Sequence, residues 1–128
     1  MRDEQVHRYA RHLSLPDVGG LGQTALLVAT ARVELRESEP RAELIAATYL
    51  AAGGVGTIAL ANASDAQRAE VAAHGADSHV TAAGDGRAVA LAARPAWWPE
   101  ADSDGEALAF WRGALAATRW MADTVARR

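Results

Sequence analysis

The chain has 128 residues and a formal charge of −3. That length suits one compact domain, and a mixed, slightly acidic surface offers no general attraction for nucleic acid or anionic membrane. All 13 basic side chains are arginine and there is no cysteine. Lysine-amine catalysis, a Walker-type lysine, disulfides, thiolate metal sites and thioester-forming nucleophiles are thereby excluded.

The opening segment MRDEQVHRYARHL is charged and lacks the apolar core of a secretory leader. No run approaches the ~20 apolar residues that span a bilayer. A cytoplasmic protein is expected, with neither a membrane nor a nucleic acid as partner.

Val6, Tyr9, Ala10 and Leu13 share one face of a helix predicted over residues 3–13, and Pro16 ends it. Asp17 is a candidate N-cap for a short second helix through Leu27, weakened at its start by Gly19, Gly20 and Gly22. Residues 31–36 alternate, with Val33 and Leu35 on one side and Arg32, Glu34 and Arg36 on the other. This pattern predicts a strand with one wet face, near a sheet edge, rather than the all-apolar strand of a sheet centre.

Ser38 or Glu39 is expected to cap the next helix, with Pro40 in its first turn. The broad apolar face of Leu44, Ile45, Thr48, Tyr49 and Ala52 ends at Gly53 and Gly54, which suit a C-cap and tight turn. A short strand over 57–61, a helix from a Ser64 or Asp65 cap to His74, and strands at 78–82 and 87–93 joined through the turn-forming GDG follow.

The order reads as an α/β fold around a small, mostly parallel sheet flanked by helices. Its parts are N-terminal helices over 1–30, a βαβ core over 31–94, a linker over 95–105 and a long C-terminal helix over 106–128.

Two motifs carry a resemblance. Arg8-Tyr9-Ala10-Arg11-His12, then Leu15-Pro16, Gly22-Gln23 and Ala31-Arg32-Val33 resemble the start of the ThiF/MoeB/HesA family, the ubiquitin-activating-enzyme-like adenylyltransferases. Tyr49-Leu50-Ala51-Ala52-Gly53-Gly54-Val55-Gly56 is similar to that family's Y-L-A-x-A-G-V-G helix end. The likeness covers roughly residues 5–62 and fades beyond His74, where the family's second half has no room in this chain.

The resemblance implies a Rossmann-like sheet, ATP and magnesium as cofactors, adenylation of a small ubiquitin-like carrier, and a dimer in which Arg11 matches an arginine reaching phosphate across the interface. The family's phosphate turn is G-x-G-G-x-G, because only glycine lets backbone amides approach the phosphates. Here that turn is Arg36-Glu37-Ser38-Glu39-Pro40-Arg41. Glu37 and Glu39 would face a polyanion, a repulsion on the order of 1 to 4 kcal/mol at ~4 Å, and Pro40 removes an amide.

The ribose-binding acid falls at Asn62, and the later catalytic lysine is absent. The expectation is therefore a truncated, degenerate relative, a pseudoenzyme with no catalytic residues and no cofactor. Arg11 and Asn62 remain as vestigial positions.

Arg8, Tyr9, Arg11 and His12 read either as a retained dimer-interface helix or as an amphipathic helix with a solvated basic face. The four histidines lack metal-ligand spacing, and Ser38 and Ser64 lack a nucleophile elbow. Trp97 and Trp98 in the linker, Trp111 within the apolar arc of the last helix and Trp120 at its margin read either as core or as a homodimer or partner surface.

Three functions follow: a non-catalytic binding or dimerisation module, a small-ligand binder with Arg36, Arg41 and Asn62 around the crevice, and, last, a remodelled adenylyltransferase.

Overall fold

In the computed structural model, alternation at residues 30–35 sends Ala31, Val33 and Leu35 into the core and leaves Arg32 and Glu34 outside. The structure describes residues 1–102 and 105–127, with Asp102 through its backbone alone. Linker positions 103 and 104 and the last predicted helical residue, 128, lie outside the described residues. The helices are α1 (Asp3–Arg8), α2 (Ala10–Leu13), α3 (Gly19–Val28), α4 (Arg41–Ala52), α5 (Asp65–Ala72) and α6 (Glu106–Ala126). The strands are β1 (Thr30–Glu34), β2 (Thr57–Ala61), β3 (His79–Thr81) and β4 (Arg87–Ala88), with a short 3-10 turn at Glu100–Asp102.

The fold is α/β, and all strand pairs among the described residues are parallel in the order β3-β2-β1-β4, so β1 lies between two neighbours and not near a sheet edge as its alternation predicts. Parallel neighbours need a crossover, and α4 and α5 supply two of them. The third connection departs from expectation. The GDG segment does not fold β3 and β4 into neighbours, because these strands occupy opposite edges of the sheet. Residues 82–86 instead cross the sheet, and a Cβ on Gly84 would lie 3.4 Å from the Ala59 Cβ.

The register explains why one face is left open. Ala31 pairs with Ile58 and Arg87, and Ile58 pairs with Val80, so these side chains share the helix-covered face. Arg32, Ala59, Thr81 and Ala88 share the other, where Arg32 and Ala88 are exposed. Parallel sheets are normally covered on both faces, so the polar alternation of β1 is what makes this arrangement tolerable in water.

The core lies between the sheet and α4, where Ala46, Ala47, Leu50 and Ala51 meet Val33, Ile58 and Leu60. α5 and α6 both contact α4. The packing of α6 on α4 depends on small residues: a Cβ on Gly113 would stand 2.9 Å from Ile45 Cβ, and Ala117 is fully buried. Close approach of this kind lets two helices exclude water along a long seam.

Three local readings change. Tyr9 interrupts the predicted first helix with φ −104° and ψ 21°, separating α1 from α2. The second helix starts after Val18 with no side-chain cap, so Asp17 does not fill that role. For α4 the N-cap is Pro40, with no side-chain cap bond, rather than Ser38 or Glu39. Pro40 has φ −82° and ψ 49°, and the Arg41 amide donates to Glu39 O at 2.9 Å, which is an inverse γ-turn. Ser64 does cap α5: its hydroxyl accepts from the Gln67 amide while the Gln67 side chain accepts from the Ser64 amide.

Candidate functional site

The strand order places a topological switch between β1 and β4, and α/β folds bind ligands outside the strand C-termini at such points. A crevice of about 350 Å³ lies there. Its polar lining is Arg32, Glu34, Arg36, Glu37 and Glu43, and residues 88–91 form an apolar wall.

Sequence reasoning missed Glu43. It sits in the first turn of α4 and is only 2 % exposed. Its Oε2 accepts hydrogen bonds from the backbone amides of Arg36 and Glu37, both at 3.2 Å. Those amides belong to the turn in which a nucleotide-binding chain would hold phosphate. The carboxylate thus engages two donors of the turn from inside the protein. Its other oxygen, Oε1, is buried and has no hydrogen-bond partner among the described residues. A glutamate amid alanines near a helix start was the available sequence signal, and acids are common there for dipole reasons alone.

The acidic turn is also less bare than it reads. Glu37 pairs with Arg112 of α6 at 3.2 Å, Glu39 with Arg41 at 3.4 Å and Glu34 with Arg36 at 2.6 Å. These pairs are largely exposed and contribute little stability, but they soften the repulsion that isolated glutamates would impose. Arg112 Nε further donates to Ala92 O at 2.9 Å, tying α6 to the chain beyond β4.

Of the residues expected around the crevice, Arg36 lines it. Arg41 instead lines an apolar groove and a small hollow at the start of α4. Asn62 adopts φ 64° after β2 and makes a long 3.4 Å contact to Leu35 O. Asparagine tolerates this left-handed conformation better than most residues, a structural use of the position. Arg11 is exposed and lines a hollow with Ala52, at the far end of α4. Twelve residues of helix separate that end from the crevice, about 18 Å.

Arg8 and Tyr9 converge on Asp77, which also accepts from Arg2 at 3.1 Å and Gln5 at 3.1 Å. Tyr9 is 3 % exposed and donates to Asp77 at 2.6 Å, so its ring and hydroxyl are committed to the interior. Burial, followed by the Asp77 hydrogen bond and charge, raises the Tyr9 hydroxyl to about 12. Burial alone would raise Asp77, but bonds from Tyr9, Gln5 and Arg8 together with the Arg8 charge hold its carboxyl below the usual value.

Gln23 completes the docking of the N-terminal helices. Fully buried, it donates to Gly53 O at 3.0 Å and meets His12 Nδ1 at 2.7 Å.

The tryptophans divide. Trp97, Trp98 and Trp111 form one cluster, with ring centroids 5.8 to 6.5 Å apart. Trp97 is 74 % exposed. Trp120, placed at the margin by helical spacing, is 4 % exposed and belongs to the core. Its Nε1 donates to Arg87 O at 2.9 Å, and the Arg87 guanidinium lies 4.5 Å from its ring centroid. A charged strand residue covers its ring, an arrangement that helical spacing does not reveal.

Phe110 shows the reverse. It fits the apolar arc yet is 52 % exposed, edge-on to Tyr49, beside a groove of about 640 Å³ between α4, α5 and α6.

Among the described residues, no group of three or more histidine, aspartate or glutamate side chains could hold a metal. No described helix is long and apolar enough to cross a membrane. The chain matches no protein-family model, and no curated protein matches it in sequence.

Proposed function

We propose that this chain is a cytoplasmic, non-catalytic relative of the ThiF/MoeB adenylyltransferases that has lost ATP binding and works as a binding or dimerisation module. A second copy or another protein is its partner. The single observation that carries the reading is the Glu43 carboxylate on the amides of Arg36 and Glu37. A phosphate would have to displace a negative group tethered in the first turn of α4, from a loop that also lacks glycine. Without lysine, the family's later catalytic step also lacks its residue.

The interaction half rests on the exposed aromatic surface. Trp97 and Phe110 present rings to solvent near α6, and aromatic side chains of this kind are enriched at interfaces. Titration calorimetry with ATP and magnesium tests the first half: micromolar binding contradicts it. Sedimentation of the wild-type protein, Trp97→Ala and Phe110→Ala tests the second. Assembly weakened by either substitution supports it, and a wild-type monomer with no co-purifying partner removes it.

A further inference from the structure

The crevice at the β1/β4 switch has a charge pattern unsuited to an anion alone. Arg36 and Arg112 have glutamate partners, but Arg32 projects from the open sheet face with no ion pair among the described residues. Glu43, in the same lining, is almost fully buried and leaves Oε1 without a donor among the described residues. Buried carboxylate oxygens are seldom left unsatisfied, because desolvation of the charge is then uncompensated.

The crevice therefore leaves one cation and one carboxylate oxygen unspent. Along it, Val89 and Leu91 provide apolar surface, and about 350 Å³ is at the small end of ligand sites. A nucleotide would meet Glu34, Glu37 and Glu43, and a purely cationic ligand would meet Arg32 and Arg36.

We propose that this crevice binds a free apolar α-amino acid, its ammonium donating to Glu43 Oε1, its carboxylate accepting from Arg32, and its side chain along Val89 and Leu91. The site is separate from the aromatic surface assigned to partner docking, so each stands or falls alone.

The test is titration calorimetry with L-leucine, N-acetyl-L-leucine and L-leucinamide on the wild-type protein, Arg32→Ala and Glu43→Gln. Arg32 is exposed on the open face, and a glutamine at 43 keeps an oxygen for the two amides, so both variants retain the fold, which urea midpoints verify. Wild-type protein binds leucine saturably. Blocking either ligand charge, or making either substitution, weakens binding about tenfold or more. Absence of saturable leucine binding to the wild type overturns the proposal, as does binding that the analogues and variants leave unchanged.

Discussion

Replacing Tyr9 with phenylalanine removes one hydroxyl from the junction that holds the N-terminal helices. The lost bond is 2.6 Å long, donated by a residue 3 % exposed to a carboxylate that is itself buried. Net contributions for bonds to charged groups run about 1.5–3 kcal/mol. Here Asp77 keeps Gln5 and two arginines, so no charge is orphaned, and the exposed Arg2 pair adds little. The expected loss is therefore at the low end, about 1–2 kcal/mol. With an unfolding entropy of about 0.27 kcal/mol/K for 128 residues, Tm falls by about 4–7 °C.

The loss should depend on pH. Asp77 is held below its ordinary value, so its contribution is present above that value and disappears as pH falls through the folded one. Tyr9 is raised from 10.0 to about 12, so its contribution is present below 10.0 and fades between those values. The gap between wild type and Tyr9→Phe is thus level through neutral pH and closes at both extremes. Urea denaturation followed by tryptophan fluorescence measures it. A gap under about 0.3 kcal/mol at pH 7, or one unchanged in acid, would refute the junction as described.

Gly54→Ala should destabilise by at least about 2 kcal/mol in the same assay, since φ is +86° and the new Cβ would stand 2.6 Å from Gln23 Nε2 and 2.7 Å from Tyr9 Cζ. For Gly113→Ala, about 1 kcal/mol of helix propensity opposes about 1–3 kcal/mol of overpacking against Ile45 and Ala42 O. Because part of that contact is backbone, overpacking wins, and a more stable variant would show that α6 can lift away. Trp120→Ala should cost about 3–5 kcal/mol, whereas Trp97→Ala should change monomer stability by less than about 0.5 kcal/mol. Equal losses would contradict the division of the tryptophans into buried and exposed.

Much of the architecture was legible because local patterns and tertiary demands agreed. The alternation at 31–36 announced a strand with a wet face, and the structure leaves Arg32 and Glu34 outside, although the strand sits between β2 and β4 and not near an edge. Residues 57–61 and the helix from 106 fall where apolar periodicity put them. The Ser64 cap was readable because a capping box is a purely local device.

What was not legible depended on distant partners. The GDG segment has hairpin composition, yet β3 pairs with β2 and β4 with β1, so tertiary pairing overrode turn chemistry. Trp120 is buried because Arg87, 33 residues away, covers its ring. Phe110 is exposed because the helix beneath it presents Tyr49 at a groove edge rather than a closed core. In the crevice the missing glycines were visible in the sequence. The role of Glu43 was not, since nothing local says that a helix-start carboxylate will turn back onto the preceding amides.

The central claim is that the turn at 36–41 holds a protein carboxylate where a nucleotide-binding turn would hold phosphate. Titration calorimetry of the wild-type chain with ATP and magnesium tests this most directly. The account predicts no saturable heat at millimolar nucleotide, and saturable binding with micromolar affinity would contradict it.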